Sequence, residues 1–293
     1  MQLFSIETGN FKLDGGAMFG VVPKSIWNKL NPADENNLCT WALRCLLIID
    51  GDRKILIDTG MGNKQDAKFF SHYQPSNTVT LHDALQKINI GVTDITDVLL
   101  THLHFDHVGG AIEVQNQQFK TVFPNAIYWV SEPQWDLGMN PNKREKASFL
   151  KENLEPLKAS GQLKLITVPP YQGKELQEIH FSKNVTCIVV NGHTQCMLLP
   201  KIKIQDKTLV YMADLLPSVA HIPLPYVMGY DMQPLVTLTE KELFLQDAIQ
   251  NKYTLFFEHD PIHECCSLQV TEKGIRAEHT FLLSDWNKAH SAH

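Results

Sequence analysis

The chain has 293 residues with 32 acidic against 26 basic side chains, a formal charge of −6 with its 13 histidines neutral, which argues against a nucleic-acid surface. At 43% hydrophobic and 20% charged residues it is too apolar for a disordered chain and is expected to bury a core as one domain, 1–293. No apolar run reaches the roughly 18 residues of a membrane helix, and Glu7, Lys12 and Asp14 interrupt anything resembling a secretory leader. Six cysteines, two of them adjacent at Cys265 and Cys266, are too few for a disulfide framework. A cytoplasmic protein with reduced thiols and neither a membrane nor a nucleic-acid partner is expected.

In chain order, strands are predicted at Gln2–Glu7, Ala17–Val22, Cys45–Ile49 and Lys54–Ile57, the last two joined by the turn Asp50-Gly51. Asp58-Thr59-Gly60 forms a turn directly off a buried strand. His82–Ile88 has helical spacing, and Asp97–Leu100 is a short apolar strand. Asn142–Ser160 reads as a charged surface helix. Strands follow at Val185–Val190, Lys201–Gln205 and Leu209–Met212, then a helix at Lys241–Lys252 and a strand at Thr254–Phe257 ending in Glu258-His259-Asp260. Two similar halves with polar clusters at strand ends predict layered sheets with helices outside.

The chemistry concentrates in Thr101-His102-Leu103-His104-Phe105-Asp106-His107-Val108-Gly109-Gly110, just past an apolar strand. On an extended segment His102 and His104 point to the same face, so both can bind one ion; a turn then directs Asp106 and His107 at a second. Neutral imidazole suits zinc, iron, manganese or nickel, and the aspartate adds a hard oxygen and a negative charge. Downstream, His193, Asp214 and His259 each follow an apolar strand. Taken singly, either histidine also reads as an ordinary polar residue and Asp214 as a helix N-cap; their joint order favours ligands.

With these residues the sequence resembles the metallo-β-lactamase superfamily, whose signature is HxHxDH, over nearly the whole chain. The resemblance implies an α/β (layered α+β) fold: a four-layer αβ/βα sandwich with two mixed β-sheets and outer helices. It implies two divalent ions, zinc first, with manganese or iron as alternatives. One is held by His102, His104 and His193, the other by Asp106, His107 and His259, with Asp214 bridging. Asp58 is implied to orient a ligand histidine, its alternative being a turn former. The chain departs from the family's GHTxGH element after Gly192-His193-Thr194, where Cys196-Met197 replace the second Gly-His. Cys196 is read as a buried thiol and not a ligand.

Such a centre lowers the pKa of a shared water towards about 7 and supplies a hydroxide nucleophile, with Asp106 orienting the water or shuttling its proton. The size, the segment Phe11–Gly20 and the stretch Asp214–Pro234 look most like the branch of N-acyl-homoserine lactonases and methyl parathion hydrolase-like enzymes. A small ester or lactone substrate is therefore expected, a phosphotriester being a further option. His221 and Tyr230 are candidates to hydrogen-bond a substrate oxygen, and Met18, Phe19 and Phe105 to form an apolar wall. Phe11–Gly20 reads as either a plain hairpin or a loop over the site. The alternatives are a phosphodiesterase or nuclease of the same fold, disfavoured by the acidic balance, and a redox or non-catalytic metal protein. Against the redox alternative, di-iron relatives carry Glu where His104 stands. A homodimer is left open.

Overall fold

The computed structural model describes residues 1–173 and 175–290 and divides into two compact units. The first comprises Met1–Asn10 and Leu43–Val168, the second Phe11–Ala42 and the residues from Pro169 onward. The boundaries at Asn10 and Ala42 fall inside two long strands, Gln2–Asp14 and Leu38–Asp50, so each of these strands contributes to both units.

In the first unit a six-stranded sheet runs in the order Gln2–Asp14, Leu38–Asp50, Arg53–Ile57, Asp97–Leu99, Ile127–Ser131, Leu163–Ile166. The predicted hairpin forms around Asp50↔Arg53, and the four strands from Arg53–Ile57 to Leu163–Ile166 pair in parallel. Parallel strands are covered on both faces, which is why Asp97–Leu99 and its neighbours read as continuous apolar runs. Leu47, Leu56, Val98 and Tyr128 join Leu85 and Leu157 in the core. Helices form at Leu81–Gln86, Glu132–Met139 and Lys151–Ser160. The predicted helix at Asn142–Ser160 is therefore real only in its second half; its first half is turn structure that carries buried Glu145.

In the second unit seven strands lie in the order Gly274–Phe281, Cys265–Thr271, Thr254–Phe256, Lys207–Tyr211, Met197–Ile204, Val185–Val190, Gln177–Ser182. All pairs are antiparallel except Lys207–Tyr211 with Thr254–Phe256. The helix Pro234–Gln250 begins seven residues before the predicted Lys241. It buries Thr237, Glu240, Lys241, Phe244, Leu245 and Ala248, an i, i+3, i+4, i+7 stripe with two charged residues in it.

The strand predicted at Ala17–Val22 is not formed. Asp14 accepts from the Ala17 amide at 2.8 Å and caps a helix at Gly15–Phe19, an N-cap that overrides the apolar pattern. Phe19 stacks on Trp27 at 5.4 Å and on His221 at 4.6 Å. All six cysteines are buried thiols. Among the described residues no helix is long and apolar enough to cross a membrane.

Candidate functional site

In the first unit, the chain leaves Asp97–Leu99 in extended conformation through His104 and then turns into the short helix Phe105–Val108. This change of period separates the motif into two pairs. His102 Nε2 lies 3.1 Å from His104 Nδ1, and Asp106 and His107 offer ligand atoms within 4.8 Å of each other. All four side chains are buried, His102 and His107 completely.

Asp58 organises this cluster. Leaving its strand with φ 56, a conformation few non-glycine residues adopt, it accepts from the Thr101 amide at 2.7 Å, the Thr101 hydroxyl at 2.6 Å and His107 Nδ1 at 3.1 Å. A carboxylate on Nδ1 fixes the proton there and leaves the Nε2 lone pair for a cation. The turn is held close by the two glycines of the motif: a Cβ at Gly110 would stand 2.0 Å from the Thr59 carbonyl oxygen, and one at Gly109 would stand 2.1 Å from that of Met61. Thr59 in return donates its amide to the His107 carbonyl at 2.8 Å.

Several neighbours of this cluster had no signal in the sequence. Glu145 is 2% exposed and its Oε1 lies 3.6 Å from His104 Nε2, while Phe149 packs on the same ring. Tyr73 packs with Phe69 against Phe105. Burial first, and then the charge of Asp106, push the Tyr73 phenol up to about 12.

In the second unit, His193, Asp214 and His259 stand just past Val185–Val190, Lys207–Tyr211 and Thr254–Phe256, three strands of one sheet. Asp214 Oδ2 lies 3.1 Å from His193 Nε2 and Oδ1 lies 3.2 Å from His259 Nε2. The opposite nitrogens are also held. His193 Nδ1 meets Asp231 Oδ1 at 2.9 Å, and His259 Nδ1 meets the Ala42 carbonyl at 2.8 Å. Burial alone would keep His193 neutral, but Asp214 and Asp231 outweigh it and raise the imidazole to about 10. The pocket around His193 therefore favours a positive charge.

His221, Tyr230 and Cys196 belong to the same unit as His193, Asp214 and His259. His221 is fully buried, its Nδ1 2.8 Å from the Ser218 hydroxyl and its Nε2 2.9 Å from the Met18 carbonyl; burial above all holds it down to about 3. Both its ring nitrogens are thus engaged by the protein. Tyr230 is 38% exposed. Cys196 is buried, and its amide donates to Asn191 Oδ1 at 3.0 Å.

The donor set fits divalent cations. Ligand atoms about 2.0–2.2 Å from a tetrahedral zinc stand roughly 3.4 Å apart, close to the separations on either side of Asp214. Three imidazoles also have an acceptor on the ring nitrogen away from the ligand atom, as metal-binding histidines require.

A family model described as the metallo-beta-lactamase superfamily matches residues 44–244. Among solved structures, the fold is similar to that of a probable metal-dependent hydrolase from Staphylococcus aureus at 28% identity and TM-score 0.85, covering 96% of both chains. It is also similar to AidC, a dizinc quorum-quenching lactonase in complex with an N-hexanoyl-L-homoserine product, at 24% identity and TM-score 0.76, covering 96% of this chain and 95% of that one. An N-acyl homoserine lactone hydrolase with the same product at its catalytic metal centre matches at 18% identity and TM-score 0.67, covering 88% and 93%. A search among curated proteins found no match. Two mixed sheets with helices, histidine and aspartate clusters just past strands and a family match across most of the chain lead to one assignment: the protein belongs to the metallo-β-lactamase superfamily.

Proposed function

We propose that the protein is a dinuclear metal-dependent hydrolase acting on a small ester or lactone. The observation that carries this is Asp214: its two carboxylate oxygens each face the Nε2 of a different histidine, the disposition of a carboxylate shared between two ions. In the ligand order of the family, His102, His104 and His193 hold one ion and Asp106, His107 and His259 the other. Zinc suits this nitrogen-rich set, with manganese or iron as alternatives. When bound, the ions lower the pKa of water towards neutrality and polarise the substrate oxygen.

The chain's own residues supply position and proton handling. Asp58, Asp231 and the Ala42 carbonyl hold three imidazoles with Nε2 presented. Asp106 is the group to take a proton on a carboxylate oxygen and return it to the leaving alkoxide. Tyr230, partly exposed, is the candidate to donate to a substrate oxygen. The likeness to AidC is one of fold, and it makes an N-acyl homoserine lactone the first substrate to test.

The test is a panel of lactones, aryl esters and phosphotriesters assayed on one metal-replete preparation, with metal content measured on the same sample. Lactone or ester hydrolysis with about two ions per chain is expected, and His104→Ala and Asp214→Ala should each abolish turnover and lose metal. Full activity in either variant overturns the two-ion reading.

A further inference from the structure

Glu240 and Lys241 are the two charged residues within the buried stripe of the helix Pro234–Gln250. Their side chains are engaged at different places. Lys241 Nζ donates to the carbonyls of Pro223, Leu224 and Tyr226 at 3.1, 3.4 and 2.8 Å. Glu240, 2% exposed, takes the Asn191 amide on one oxygen at 2.7 Å and the Gly192 amide on the other at 2.9 Å. These are the two residues immediately before His193.

The rest of that turn is bound by the same stretch of chain. The Gly192 carbonyl accepts from the Gln233 amide at 2.9 Å and the His193 carbonyl from the Met232 amide at 3.1 Å. Gly192 is packed so tightly that a Cβ there would stand 2.2 Å from Thr237 Oγ1. Asp231 accepts from the ring. Asp231 therefore holds the ring, whereas Glu240, together with the Met232 and Gln233 amides, holds the backbone that carries it. An ionised carboxylate is expensive to bury; burial pushes Glu240 up to about 7 even though it accepts two amides. A hydroxyl or amide side chain would be cheaper if the only need were to fill space.

We infer that Glu240 is a positioning residue for the metal centre, its carboxylate chelating the Asn191 and Gly192 amides so that His193 is presented at the distance its ion requires. This rests on the proposed function, because it takes His193 to be a ligand. Glu240→Gln keeps the shape but turns one acceptor into a donor facing an amide, and Glu240→Asp keeps the charge but shortens the reach.

The test is titration of the full-length, metal-depleted protein with Co2+, read by visible absorption, alongside kcat and KM. Residues that support ligands typically cost about 10- to 100-fold in metal affinity when changed. That loss, with an altered cobalt spectrum, is expected for Glu240→Gln; Glu240→Asp should be intermediate, and Lys241→Met, in the same buried turn, should match wild type in spectrum and affinity. If Glu240→Gln does not fold, Glu240→Asp carries the test. A Glu240 variant that binds Co2+ as wild type does, with the same spectrum, overturns the inference. So does an equal loss in Lys241→Met, which would make the effect a general weakening of the helix. Wild-type protein that takes up no Co2+ overturns the proposed function itself, and the inference falls with it.

Discussion

His193 has a carboxylate at each ring nitrogen, Asp214 at Nε2 and Asp231 at Nδ1. In the proposed centre only the first is taken as a ligand, because its other oxygen faces a second imidazole, that of His259. Asp231→Asn should leave the fold intact and weaken metal binding by about 10- to 100-fold, measured by competition with a chromophoric chelator. The proposed ligands could be picked out in the sequence because HxHxDH is contiguous and each later candidate follows an apolar strand. Asp231 was not, because it reaches His193 across 38 positions and its local sequence resembles any loop aspartate. Glu145 and Glu240 were hidden in the same way: charged residues in polar or helical stretches are ordinarily solvated, and only the fold buries them.

Among the elements, the turn Asp58–Gly62 and the Gly109-Gly110 pair pack backbone against backbone. Gly110→Ala forces a carbon to within 2.0 Å of a carbonyl oxygen, so it should cost about 1–3 kcal/mol in denaturant unfolding and reduce turnover by loosening the hold of Asp58 on His107. The helix Pro234–Gln250 has a pH signature. Glu240, raised from 4.5 to about 7, contributes stability that is complete below pH 4.5 and lost as pH rises through 7. Lys241, lowered by burial from 10.5 to about 7, contributes stability that is complete above pH 10.5 and lost as pH falls through 7. Between pH 7 and 10 the wild-type melting temperature should therefore gain on that of Lys241→Met. The absence of such a trend would mean that Lys241 keeps its charge throughout. The helix was visible from periodicity, but its start was misplaced because its first turns carry exposed Leu235 and buried Thr237, which blur the stripe. The strand expected at Ala17–Val22 failed for a different reason: a single capping bond from Asp14 decides that segment.

For the whole molecule, a bound ion stabilises only the folded chain, by about 2.7 kcal/mol at a free concentration 100 times the dissociation constant. Chelation should lower the melting temperature, and zinc, manganese or cobalt should restore it; a melting curve indifferent to metal would argue against tight sites. The fold class was legible because strands and helices alternate in two similar halves, and periodicity reports that directly. The division of the chain was not, since no linker marks it and its boundaries lie within strands.

Those boundaries also set an order of events during synthesis. Phe11–Ala42 belongs with residues from Pro169 onward, yet it emerges from the ribosome first. At about 5–20 residues per second it precedes Pro169 by roughly 6–25 s, and its Phe11, Phe19, Trp27 and Trp41 are all buried in the folded structure. A nascent chain halted before Pro169 should therefore be bound by chaperones through this early aromatic segment, and a chain extended through Phe281 should bind them less.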